Sequence, residues 1–179
     1  MSVYNLILWD DRVRGSRPRR GDRTYQVNNG THLSWILRTV SERAQLHTSQ
    51  TFNLHIIAHG FERPDSSGSL AGGWGINICR EGINIHTVER FSRWNGLIDN
   101  ILIFSCAIAN TAPNATPEGE GDGNFLCYRL AQITGAYVFA STANQIYLHN
   151  NTDGRGIDVG NWEGVVFGYA PNGSSVKVR

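Results

Sequence analysis

Two short apolar runs, Leu54-His55-Ile56-Ile57-Ala58-His59-Gly60 and Ile101-Leu102-Ile103-Phe104-Ser105-Cys106-Ala107, constrain this chain more than any other feature. Runs of this kind, bounded by turn residues, read as buried strands of a parallel sheet. In such sheets ligands bind outside the carboxyl ends of the strands. Each run ends there in one reactive side chain, His59 in the first and Cys106 in the second.

The rest of the chain fits around these two strands. Residues 3–9 form a first strand candidate that ends at Asp10-Asp11, ahead of a basic, turn-rich stretch up to Gly30. Thr31 is placed to cap a helix whose apolar positions Leu33, Ile36, Leu37, Val40 and Ala44 follow at helical spacing. The strand over 52–58 is followed by a loop over 61–73, of a length that in a compact domain is usually functional or mobile. Ile76 and Ile78, then Ile83 and Ile85, alternate with polar residues about Glu81-Gly82, the pattern of a small hairpin. A helix is expected over 87–97, with Val88, Phe91 and Trp94 on one side, and a strand over 100–105. The Pro- and Gly-rich loop over 111–123 has three acidic residues and no basic one, which predicts a flexible, exposed segment. A helix over 124–134 ends at Gly135, a strand spans 137–140, and a final strand spans 163–170 after a turn-rich stretch over 150–160. Strands alternating with helices give an α/β fold with a mainly parallel sheet.

Composition narrows the function classes. The 179 residues suit a single domain over 1–179, within the roughly 100 to 200 residues usual for one. A formal net charge of +1 gives no global attraction to nucleic acid or to an anionic membrane, and no run has the length needed to span a bilayer. The amino terminus lacks the basic stretch and long apolar core of a signal peptide, so synthesis in the cytoplasm is expected; export by a route without a signal is compatible with this. Three cysteines, Cys79, Cys106 and Cys127, are odd in number and widely spaced, which argues against a disulfide framework. His55, His59, Cys79 and Cys127 form no Cys-x-x-Cys or His-Glu-x-x-His motif, so no metal is expected. His32, His47, His86 and His149 read as surface or capping residues.

A thiol becomes a strong nucleophile when an imidazole lowers its pKa or takes its proton. His59 and Cys106 are separated by one loop, one helix and one strand, which allows them to be neighbours in space. His59 then handles the thiol proton, and the N–H groups of Gly60 and Cys106 face a developing oxyanion. A serine hydrolase would need a Gly-x-Ser-x-Gly elbow, which is absent. An isolated Cys106 would read as a small, buried, inert residue; the His-Gly at the end of a second strand points to catalysis instead.

The apolar strand ending in His59-Gly60, followed by the apolar strand ending in Ser105-Cys106, resembles the caspase-like cysteine peptidases (clan CD), which include caspases, gingipains and clostripain. The residues over 54–60, 101–109 and 130–142 look like a bacterial domain of unknown function related to that clan, a likeness spanning roughly the middle half of the chain. The resemblance implies a caspase-like three-layer sandwich with the central sheet flanked by helices, a Cys/His dyad, no cofactor or metal, and hydrolysis of a peptide or protein substrate. Gln-Ala-Cys-x-Gly is missing around Cys106, so aspartate specificity does not carry over.

On the substrate side, Asp10 and Asp11 fall at the end of the first strand, where caspase-like folds place part of the pocket for the residue before the cut, and can attract Arg or Lys. Arg12 and Arg14 beside them favour an acidic residue, and a solvated turn with mutual salt bridges is the plain alternative. Ser141 and Thr142, ending the fourth strand, can donate hydrogen bonds to substrate or act as ordinary turn residues. The basic cluster Arg12, Arg14, Arg17, Arg19, Arg20 and Arg23 has acidic neighbours and no interleaved aromatics, so it reads as a solvated loop. The rival to a peptidase is a non-catalytic binding or targeting module that keeps the same fold. Oligomeric state leaves no mark in the sequence.

Overall fold

The structure, a computed structural model, describes residues 2–13, 23–145 and 162–179. Arg14, Arg17, Arg19, Arg20, His149 and the stretch over 150–160 lie outside the described residues. In chain order the strands are β1 (Val3–Asp10), β2 (Thr24–Val27), β3 (Thr51–Ile57), β4 (His59–Gly60), β5 (Arg63–Pro64), β6 (Leu70–Ala71), β7 (Ile76–Asn77), β8 (Asn100–Phe104), β9 (Tyr137–Ser141), β10 (Val166–Tyr169) and β11 (Ser175–Lys177). Seven of them make one sheet in the order β2-β1-β3-β8-β9-β10-β11, with β4–β7 and β5–β6 as two small antiparallel pairs. The pairings β2–β1, β1–β3, β3–β8 and β8–β9 are parallel, while β10 runs antiparallel to β9 and β11.

Helices α1 (Leu33–Gln45) and α2 (Gly123–Thr134) and a 3₁₀ helix (Val88–Trp94) supply the crossovers. All three pack on one face of the sheet. Leu6, Leu8, Leu54, Ile56, Ile101, Ile103, Val138 and Ala140 alternate onto that face and meet Leu33, Ile36, Val40, Phe91, Trp94, Leu126 and Leu130 in one buried cluster. Each such side chain contributes about 1.5–3 kcal/mol by leaving water. On the other face a second, smaller cluster gathers Ile7, Trp9, Val13, Ile57 and Phe104 near the carboxyl ends, with Trp162 packed on Phe104. No helix among the described residues is long and apolar enough to cross a membrane.

Several elements depart from the sequence expectation. The apolar spacing Val88, Phe91, Trp94 is three residues, and the segment forms a 3₁₀ helix, whose period is three, rather than an α-helix. The α1 cap is not Thr31: its N-cap is His32, and the Leu33 N–H donates 2.9 Å to the Glu81 carboxylate from a distant turn. That bond holds the Glu81 pKa below its ordinary value. The expected hairpin about Glu81-Gly82 reduces to a single bridge, Ile76 with Ile83. The loop over 111–123 is exposed along most of its length, as expected, but is also internally bonded, since the Ala112 N–H donates to Gly121 O (2.9 Å), the Thr116 N–H donates to Glu120 O (2.8 Å), and Ala112, Gly121 and Gly123 are buried. Asp122, at its end, caps α2 through the Phe125 N–H. Gly135 does end α2, in the left-handed conformation that a glycine adopts without strain.

Candidate catalytic site at the carboxyl ends of β3 and β8

β3 and β8 run side by side with Ile57 opposite Phe104, and one further bond, from Ala58 N–H to Phe104 O (3.2 Å), extends the ladder. Immediately beyond that rung the two chains emerge as His59-Gly60 and Ser105-Cys106. The strand pairing therefore brings the histidine and cysteine segments to one place.

Their closeness is measurable at Gly60. A Cβ added there would lie 2.2 Å from the Cys106 carbonyl oxygen and 3.4 Å from the Cys106 Cβ. No side chain fits, so glycine is the residue that lets the two backbones touch. Gly60 faces Ile76 across β4 and β7, but Ile76 exchanges both of its backbone hydrogen bonds with Ile83 on its far side. Gly60 and Ile76 are thus a non-hydrogen-bonded pair, and the Gly60 N–H turns away from β7. Among the described residues the Cys106 N–H has no acceptor either. Directly after it, Ala107 takes a left-handed φ of 46°, a conformation costing about 1–3 kcal/mol for a residue with a Cβ. Ala107 is held there by its N–H bond to Ala143 O (2.9 Å) and by Gly72, packed against it. This turn brings the chain out of the core at Cys106, which is half-buried while Ser105 and Ala107 are buried.

His59 is exposed, and its Nε2 lies 3.2 Å from the Arg12 carbonyl oxygen. A carbonyl only accepts, so Nε2 carries the proton and Nδ1 is left with the lone pair. The nitrogen available as a base is Nδ1. Arg12 itself is tied down: its Nε donates 2.8 Å to Asp10 Oδ1, its Nη2 bonds Asp10 Oδ2, and the same Nη2 reaches Asn77 O at 2.8 Å. These bonds to Asp10 push the Arg12 pKa further up, so the guanidinium stays charged.

The other thiols differ. Cys79 and Cys127 are buried, and desolvation raises the pKa of both, most strongly for Cys127. A raised thiol pKa leaves little thiolate, so of the three cysteines Cys106 alone combines exposure with a neighbouring imidazole segment. Among the described residues no three His, Cys, Asp or Glu side chains converge as a metal site would require.

The residues expected to meet substrate have partners inside the protein. Asp10 is fully buried, and both of its oxygens bond Arg12. It therefore presents no open carboxylate to an incoming Arg or Lys. Asp11 accepts from Gln26 Nε2 (3.2 Å) and Asn28 Nδ2 (3.3 Å). Ser141 is also fully buried, donating to Glu163 O and accepting from the Ala143 N–H, so its hydroxyl braces the segment after β9. Thr142 Oγ1 bonds Val165 O at 3.4 Å. Sequence reasoning missed Asn77, which pairs with His59 across β4 and β7, and the Arg12 carbonyl; a backbone acceptor carries no sequence signal. Gly72, Gly73 and Gly123 were missed too, although a glycine pair ahead of an aromatic is a visible cue. A Cβ at Gly73 would strike Asn110 O at 2.3 Å, and one at Gly123 would strike Ile108 O at 2.0 Å, so these glycines set the packing of the loop after Cys106.

No family model matches this chain, and no curated protein and no solved structure matches it either.

Proposed function

We propose that the protein is a cysteine peptidase with Cys106 as nucleophile and His59 as general base, on a caspase-like α/β fold whose described helices cover one face of the sheet, not both as the sandwich expectation had it. The observation that carries this reading is the backbone contact of Gly60 with Cys106, beside the accessible thiol, where the Gly60 and Cys106 N–H groups have no acceptor among the described residues. In this mechanism His59 Nδ1 takes the thiol proton, and Sγ attacks the scissile carbonyl carbon to form a C–S bond. The Gly60 and Cys106 N–H groups hold the oxyanion, a type of interaction whose loss costs roughly 100-fold or more in rate. The C–N bond then breaks, the amine leaves with the proton from His59, and water attacks the thioester to release the acid and restore the thiol. The fold reading draws on the mostly parallel sheet and on the placement of both residues at carboxyl strand ends.

The test is a proteome-derived peptide library incubated with the purified protein, new termini being read by mass spectrometry against folded Cys106→Ala. Cleavage at a shared residue type, absent from the variant, is the expected result. Equal patterns from the two proteins would abandon hydrolysis. The second reading, a binding module that keeps this fold, is favoured by one observation: Asp10 and Ser141 are engaged internally and offer substrate no side chain.

A further inference from the structure

We propose that the buried Asp10 carboxylate, acting through Arg12, is a positioning group for His59; the inference rests on the reading of His59 as the base. Asp10 is the last residue of β1 and is fully buried, where an ionised carboxylate is unfavourable unless it is paired and hydrogen-bonded. Among the described residues it meets that condition through Arg12, accepting from the Arg12 backbone N–H (2.9 Å), Nε and Nη2. A two-pronged guanidinium–carboxylate pair fixes direction as well as distance. The orientation so imposed has two consequences, and both fall on His59. Arg12 Nη2 bonds the main-chain oxygen of Asn77 at 2.8 Å and its Oδ1 at 3.1 Å, and Asn77 is the residue opposite His59 in the β4–β7 pair. The Arg12 carbonyl meanwhile receives the His59 ring at Nε2. Backbone and imidazole of His59 are therefore both held by one residue, and that residue is held by Asp10. Asp11 and the Cys79 thiol are the other titratable groups that act on Arg12.

The experiment follows carbamidomethylation of Cys106 by iodoacetamide, with loss of iodide, against pH, read by mass on the full chain, for the wild type, His59→Ala, Asp10→Asn, Arg12→Lys and Asp10→Asn/His59→Ala. His59→Ala moves the profile to higher pH and lowers the rate at neutral pH about 10- to 100-fold, the size expected when a thiol loses its imidazole partner. Asp10→Asn and Arg12→Lys move the profile in the same direction, with rates converging on wild type at high pH where the thiolate forms unaided. Asp10→Asn adds nothing to His59→Ala. General damage to the site would instead change the rate at every pH. Should Asp10→Asn fail to fold, Arg12→Lys, at a side chain 31% exposed, carries the test. Folded Asp10→Asn or Arg12→Lys with the wild-type profile, beside a shifted His59→Ala, overturns the positioning role and leaves the dyad standing. An unshifted His59→Ala removes the dyad, and the positioning role with it.

Discussion

The two faces of the central sheet are built from the same strands and differ in kind. Toward the helices, β1, β3, β8 and β9 present a continuous apolar surface. Toward the other side, the apolar residues Ile7, Trp9, Ile57 and Phe104 gather near the carboxyl ends, and below them lies a polar row. Asn5, Asn53 and Asn100 stand in register across three strands, with Asn53 Nδ2 donating to Asn5 Oδ1 (3.0 Å) and Asn100 Nδ2 to Asn53 Oδ1 (2.8 Å). His55 sits between the two zones, its Nε2 3.3 Å from Asn5 Oδ1 and its buried Nδ1 without a partner among the described residues. The helix face sets stability over the whole sheet. The opposite face is apolar where His59 and Cys106 leave the sheet, so the strand ends beneath the candidate site are packed on both sides.

That contrast can be broken most strongly at Leu54. Leu54→Ala, on the helix face, is expected to cost about 3 kcal/mol, within the 2–5 kcal/mol usual for a buried leucine, as measured by urea denaturation. A loss below 1 kcal/mol would mean the two faces do not differ as described. A comparable effect, but confined to acid, is expected on the other face at His55, whose burial lowers its pKa to about 4. The unfolded chain, with a histidine near 6.5, takes up the proton first as pH falls. The contribution of neutral His55 is thus complete above pH 6.5 and is lost progressively down to pH 4, by about 3 kcal/mol in all. His55→Leu should flatten this part of the stability–pH curve; an unchanged slope would place the acid sensitivity elsewhere. The smallest effect is expected at Asn53→Ala, which removes both hydrogen bonds of the amide row and costs about 2 kcal/mol. If it matched Leu54→Ala, the polar row would be as structural as the core.

How much of this was legible in the sequence follows the range of the interactions. The two apolar runs became β3 and β8, adjacent and parallel, because buried strands announce themselves by composition. β2 did not, since Thr24–Val27 offers only Tyr25 and Val27 within a polar stretch, and its strand form comes from pairing with β1. β4 and β7 are two residues each, below any periodic signal, yet they fix the surroundings of His59. Asp10 read as an exposed charge at a strand end because nothing local says that Arg12 will fold back over it. Gly60 was legible as a backbone donor at a strand end, but not as the point where the Cys106 carbonyl comes against the chain, a long-range contact with no local signal.

The Glu81 carboxylate at the start of α1 has a consequence in time. A helix capped by its own neighbours can begin by itself, but the Leu33 amide waits for a turn that follows β3 and β7 in the chain. The first turn of α1 is therefore completed only after the long-range contacts around it exist, late in folding, and losing that cap should speed unfolding while leaving the folding rate nearly untouched.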